Sequence, residues 1–266
     1  MNDITLTPIE RGTITADHNH VIEGFVTATA DDPNPDLAMS ESPVYNVVIE
    51  HPEATMLWDT GSHPEAASGY WPGPLYSAFE HTGLDSLEDD LAEAGYSLAE
   101  IDLVIQSHLH LDHAGGLYAF AGSETPIYVH RRELEYAYRS AKTDTGGDAY
   151  IADDFDRDLE WRLVRGDGQS LFYGLELLHL PGHTPGHMGV RIELGEETVI
   201  IAGDLAYVRE NYEDEHPMGG GLLWSKRHWK ESLRRVKDIE RRHDAIVICG
   251  HEWDDLEQLH ELSSQK

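Results

Sequence analysis

The segment Ser107-His108-Leu109-His110-Leu111-Asp112-His113-Ala114-Gly115-Gly116 brings four groups able to bind a metal ion within six residues. It follows the run Ile101 to Gln106, which reads as a β-strand. At a strand end His108 and His110 project to one side, and the turn that follows can carry Asp112 and His113 to a second point nearby. One such cluster can serve two metal ions. Gly115 and Gly116 let the backbone turn tightly against it. Three further segments share a form, a β run ending in a ligand-capable residue beside glycine: Leu178 to His183, Val199 to Asp204 and Ile246 to His251. An imidazole or carboxylate buried at the mouth of a sheet is costly unless it is paired or coordinates a metal, so the recurrence points to coordination. Cys249, the single cysteine, sits inside the last run and reads as a small buried hydrophobe. An intrachain disulfide is thereby excluded, and any metal must be held by nitrogen and oxygen.

These residues need strands that end together. Strand-like runs occur at Tyr45 to Glu50, Thr55 to Trp58, Ile101 to Gln106, Ile127 to His130, Leu175 to Leu180, Gly189 to Leu194, Thr198 to Ala202 and Ala245 to Cys249. Helical patterns fall near Ser86 to Ala94, Arg131 to Ala141 and Ser225 to Arg242. That order suits packed sheets covered by helices. No 20-to-50-residue period and no low-complexity linker divides the 266 residues, so one domain over 1–266 is expected. Asp31 to Ser42 reads as a surface loop or lid. So does Ser62 to Gly83, whose Tyr70, Trp71, Tyr76 and Phe79, interrupted by Pro72, Gly73 and Pro74, do not fit a regular helix. They suit either packed core or the apolar wall of a substrate pocket.

Fifty acidic against nineteen basic residues give a formal net charge of −31. Such a chain is a poor partner for nucleic acid. Arginine outnumbers lysine fourteen to five. Self-repulsion of this size is tolerated when salt screens it, which suits a protein adapted to a high-salt cytoplasm; the alternative is an ordinary acidic protein. No apolar run approaches the roughly 20 residues of a membrane span, and Met1 to Arg11 carries no readable export signal. The expected location is cytoplasmic, without a membrane partner.

His108, His110, Asp112 and His113 match the H-x-H-x-D-H signature of the metallo-β-lactamase superfamily, and the later ligands match as well. The resemblance implies an α/β fold, a four-layer αβ/βα sandwich of two central mixed β-sheets flanked by helices. It implies that His108, His110 and His183 hold one metal and Asp112, His113 and His251 the other, with Asp204 bridging. Trp58-Asp59-Thr60-Gly61 resembles the family's early Asp-Thr-Gly, which would make Asp59 a carboxylate that orients a ligand; the alternative is a turn-initiating Asp. His187 matches no family ligand and reads as loop structure, and His18, His20, His130, His179 and His216 read as ordinary core or surface histidines.

The stretch Leu205 to Glu215 is similar to N-acyl homoserine lactone lactonases, which carry a catalytic Tyr three residues past the bridging Asp. Tyr207 occupies that position. The similarity extends to Asp17-His18, Gly166-Asp167 and Gly250-His251. It implies that a metal-bridging hydroxide opens the ring, Tyr207 stabilises the oxyanion and Asp112 returns a proton to the leaving alkoxide. Two divalent ions are implied, zinc by default, with iron, manganese or cobalt compatible with the same donors. The partner is a small-molecule lactone, and a homodimer is compatible. The alternative is another hydrolase of the superfamily, acting on a different lactone or on a thioester as glyoxalase II does. Leu111 departs from the family, which commonly has an aromatic there. The Met218 to Leu223 loop either borders the site or merely connects Tyr207 to the next helix.

Overall fold

Alternation of apolar side chains builds two sheets whose inner faces meet, in a computed structural model that describes residues 4–143 and 149–264. In the first sheet are β1 (Thr5–Asp17), β2 (Met39–His51), β3 (Ala54–Trp58), β4 (Phe79–Thr82), β5 (Leu103–Ile105), β6 (Pro126–His130) and β7 (Glu160–Val164), in the order β4-β1-β2-β3-β5-β6-β7. Pairing is antiparallel from β4 through β3 and parallel from β3 to β7. The second sheet takes β8 (Gln169–Phe172), β9 (Leu175–His179), β10 (Met188–Leu194), β11 (Glu197–Gly203) and β12 (Ile246–Cys249) in the order β12-β11-β10-β9-β8, with only β11 and β12 parallel.

Between the sheets, Val47, Ile49, Met56 and Ile105 pack with Leu177, Val190, Ile192, Val199, Ile201 and Ile248. Helices flank the sheets. They are α1 (His18–Val21), α2 (Gly73–Ala78), α3 (Leu87–Glu93), α4 (Leu111–Ala114), α5 (Arg131–Ala141), α6 (Ala152–Phe155), α7 (Arg209–Glu213), α8 (Lys226–His243) and α9 (Trp253–Ser264). Val48, Leu57, Val104 and Ile127 of the first sheet meet Leu87 and Leu91 of α3 and Ala137 of α5. Leu178, Ile200 and Val247 of the second meet Trp229, Leu233 and Val236 of α8. Burying each such side chain is worth roughly 1.5–3 kcal/mol, so the layers are held by whole faces and not by one contact. The arrangement is the expected four-layer sandwich. Leu256, Leu259 and Leu262 of α9 join the core between the sheets.

Every strand-like run and helical pattern read from the sequence corresponds to an observed element, with shifted ends. Four strands, β1, β4, β7 and β8, and the helices α1, α2, α4, α6, α7 and α9 are not among them. Ser62 to Gly83 is not all irregular: α2 forms there because Pro74 falls in the first turn, where its missing N–H is not needed. Asp31 to Ser42 is irregular only as far as Ala38, since β2 begins at Met39. Met1 to Asp3, part of the segment read for an export signal, lie outside the described residues. Among the described residues no helix is long and apolar enough to cross a membrane.

Candidate metal centre

The ends of β5, β9, β11 and β12 lead into the segments that carry His108 to His113, His183, Asp204 and His251. His183 Nε2 lies 3.1 Å from His108 Nε2 and 2.9 Å from His110 Nδ1. Ligands around a tetrahedral ion at roughly 2.0–2.1 Å would sit about 3.3 Å apart, close to this spacing. On the other side, Asp112 Oδ2 is 3.7 Å from both His113 Nε2 and His251 Nε2. Asp204 lies between the two groups. Its Oδ2 is 3.4 Å from His183 Nε2, while its Oδ1 is 3.5 Å from His113 Nε2 and 3.3 Å from His251 Nε2.

The outward hydrogen bonds fix which imidazole nitrogens are free to bind a cation. His183 Nδ1 donates to the Leu222 carbonyl at 2.6 Å, and His251 Nδ1 to the Pro43 carbonyl at 2.9 Å. His113 Nδ1 donates to Asp59 Oδ2 at 2.9 Å. The Ser107 hydroxyl donates to Asp59 Oδ2 at 2.6 Å, which leaves its oxygen to accept from His108 Nδ1 at 3.0 Å. In each ring the Nε2 lone pair therefore points inward. Among the described residues, His113 Nε2, His251 Nε2 and Asp204 Oδ1 are buried without a hydrogen-bond partner. Such atoms are costly to leave unsatisfied, and a cation between the two groups would satisfy all three. The donor set fits a pair of divalent ions.

Electrostatics agree with the geometry. Burial, and then repulsion among the imidazoles, keeps His108 and His110 well below the ordinary histidine range. Burial likewise lowers His183. These three are neutral ligands near pH 7. Burial opposes charge on His113 too, but the Asp204, Asp112 and Asp59 carboxylates outweigh it and raise the ring, so positive charge is favoured where a cation would bind. Asp204 stays ionised despite burial because His113 and His251 face it.

Asp59 is more than a turn former. It holds a left-handed backbone, φ 55°, at the end of β3 and takes the Ser107 amide at 2.6 Å on Oδ1. Together with its bonds to His113 and the Ser107 hydroxyl, this orients residues of both groups. Gly250 is required by closeness: a Cβ there would fall 2.3 Å from Asp204 Oδ1.

Ile14, Leu75, Phe79, Leu111, Tyr207 and Leu222 wall a cavity floored by His110, Asp112, His183 and Asp204. Its volume is ≈ 40 Å³, room for water-sized groups beside the ligands. The Tyr207 ring stacks on His251 with centroids 4.0 Å apart, and its hydroxyl makes no hydrogen bond with the described residues. Burial, then the Asp112 and Asp204 carboxylates, pushes that hydroxyl's titration well up, so it is a donor. The two readings of the Ser62 to Gly83 aromatics both hold in part: Trp71 is buried core, whereas Phe79 lines the cavity. Leu222 places the Met218 to Leu223 loop at the site border.

The remaining histidines lie elsewhere. His187 is buried, neither ring nitrogen has a hydrogen-bond partner among the described residues, its centroid lies 5.4 Å from that of His108, and it belongs to neither ligand group. His130 and His179 stack on each other at 3.9 Å, His216 pairs with Glu210 on the surface, and His20 packs against Phe79. Asp167 bonds the His179 amide and pairs with Arg235, a structural role. Sequence reasoning misses Glu133 and the Leu222 and Pro43 carbonyls. An acidic residue in the first turn of a helix looks like an ordinary dipole partner, and a carbonyl leaves no residue signature.

Residues 39–251 match the family model of the metallo-beta-lactamase superfamily. An N-acyl homoserine lactonase of a Bacillus species is 34% identical over 223 residues, 81% of this chain and 82% of that protein. The N-acyl homoserine lactonase AttM of Rhizobium radiobacter is 32% identical over 225 residues, 80% of this chain and 83% of its own length. Among solved structures, an N-acyl homoserine lactone hydrolase with the product N-hexanoyl-L-homoserine at its catalytic metal center superposes with a TM-score of 0.82, covering 97% of each chain at 26% identity.

Proposed function

The chain belongs to the metallo-beta-lactamase superfamily, and from that premise we propose that it is a dinuclear hydrolase that opens the lactone ring of N-acyl homoserine lactones. The observation that carries this reading is Tyr207, a protonated phenol with an unused donor, stacked on His251 and facing the cavity floored by the ligand groups. The similarity to N-acyl homoserine lactonases over about four-fifths of the chain supports it. His108, His110 and His183 would hold one ion, Asp112, His113 and His251 the other, and Asp204 both, with zinc as the metal. Bound there, the ions would supply Lewis acidity and a water acidified towards neutral pH.

The chain's own residues do the rest. Tyr207 donates to the lactone carbonyl oxygen as charge develops on it. Asp112, at 14% side-chain exposure the most open carboxylate of the set, takes the proton given up by the attacking water and passes it to the ring oxygen as it leaves. Ile14, Phe79, Leu111 and Leu222 shelter the acyl chain, with Leu111 offering a smaller contact than an aromatic would. In this reading residues 1–266 work as one domain in a salty cytoplasm. The deciding experiment is turnover by metal-loaded protein in molar KCl of an N-acyl homoserine lactone, a plain lactone, a glutathione thioester and a β-lactam. Preference for the acylated homoserine lactone supports the assignment; preference for the thioester overturns it.

A further inference from the structure

Glu133 is fully buried in the first turn of α5, where an unpaired carboxylate would be costly. Its two oxygens take four donors. Oε1 accepts from the Leu109 amide and the Tyr150 hydroxyl, each at 3.0 Å; Oε2 accepts from the Thr184 hydroxyl at 2.5 Å and the Gly186 amide at 3.2 Å. The donors are not scattered over the fold. Leu109 separates His108 from His110, Thr184 directly follows His183, and the Tyr150 ring meets that of His110 edge-on at 4.6 Å. One carboxylate therefore ties the loop after β5, in the first sheet, to the loop after β9, in the second, one residue away from each of three converging imidazoles. The seating is close: a Cβ on Gly186 would fall 2.1 Å from the Glu133 amide nitrogen. The other half of the centre is held by different groups, His113 by Asp59 and His251 by the Pro43 carbonyl.

We propose that Glu133 is a positioning residue for the His108, His110 and His183 half of the metal centre, and for that half alone. It fixes the separation of the two loops that carry these ligands. The inference rests on the dinuclear reading above. Glutamine is an informative replacement because its amide nitrogen must face one of the two donor pairs. The Tyr150 or Thr184 hydroxyl can turn round and accept, but the Leu109 or Gly186 N–H cannot, so one backbone donor is always opposed.

The test is cobalt(II) uptake by the full chain, with chelator competition resolving two binding events and the visible spectrum reporting ligand geometry. Wild type, Glu133→Gln, Thr184→Val, Asp59→Asn and the Glu133→Gln/Asp59→Asn double variant are compared, with circular dichroism to establish folding. In Glu133→Gln one ion should bind about 10–100-fold more weakly with an altered spectrum, while the other keeps its wild-type affinity. Thr184→Val should weaken the same ion by less. Asp59→Asn should weaken chiefly the other ion, through His113, with a smaller effect on the first through Ser107 and His108, and the double variant should weaken both. If Glu133→Gln does not fold, Thr184→Val carries the test, since it leaves the carboxylate and three donors in place. The proposal is overturned if the folded variants bind both ions as wild type does, or if both ions weaken equally. Wild-type protein that takes up no cobalt overturns the dinuclear reading itself, before any variant is compared.

Discussion

A strand that ends in a ligand beside glycine makes the metal residues visible as residues: no other use of His108, His110, Asp112, His113, His183, Asp204 and His251 would repeat that form four times. What holds them is less visible. Asp59 can be read from its Asp-Thr-Gly setting, whereas Glu133 lies in an ordinary amphipathic helix and carries no such mark. Two predictions belong at this scale. Asp204 offers one oxygen to each group of ligands, so Asp204→Ala should lower the metal content of gently purified protein from two ions to one or fewer, measured by elemental analysis. An unchanged content of two would remove Asp204 from the centre. Tyr207→Phe keeps the ring stacked on His251 and removes only the free donor. Folding and both metals should persist, and turnover of an N-acyl homoserine lactone should fall, by up to roughly a hundredfold where one oxyanion donor is worth about 2–4 kcal/mol. A variant as fast as wild type would make Tyr207 simple packing.

Strands and long helices with a full apolar face are mostly legible in the sequence, α9 with its Leu256, Leu259 and Leu262 being an exception, and elements defined by tertiary pairing are not. Of the four unread strands, β4, β7 and β8 are sheet edges, half-exposed and lacking a continuous apolar side. Strand β1 is obscured by Pro8 and by a bulge between Glu10 and Thr13. Pro8 is tolerated because β4 pairs only with Thr13 to Ala16 and leaves that half of β1 uncovered. The strands that carry ligands also set the site, which gives a prediction about their ends. β11 and β12 run parallel and place Gly250 against Asp204, with no room for a Cβ. Gly250→Ala should cost stability by about 1–3 kcal/mol, as overpacking does. It should also displace Asp204, so that metal affinity falls by roughly tenfold or more. Thermal melting of the metal-free protein isolates the first effect and chelator competition the second. A variant that loses stability but keeps wild-type metal affinity would show that the strand ends yield without moving the carboxylate.

At the scale of the whole molecule, charge is the dominant property. Eight of the nineteen basic residues lie in α8, which carries only three of the fifty acidic ones. The remaining surface is therefore more one-sided than the net charge of −31 suggests. Its ion pairs do little to offset this: Arg227 with Glu231, Lys237 with Glu215 and Lys142 with Asp156 are exposed pairs, each worth about 0–1 kcal/mol and themselves weakened by salt. Repulsion among the many remaining carboxylates outweighs these attractions. The screening length falls from roughly 10 Å at 0.1 M to 3 Å at 1 M, so added salt removes more repulsion than attraction. The thermal midpoint should thus rise between dilute buffer and molar KCl, at roughly 2–4 °C for each kcal/mol gained. Potassium chloride is the salt of choice because sulfate or phosphate would also strengthen apolar burial. The shape of the curve distinguishes the causes: screening acts most steeply below a few tenths molar and then levels off. A midpoint that stays flat or falls across the KCl series would mean that carboxylate repulsion does not limit this fold, and the reading of adaptation to high salt would fail with it.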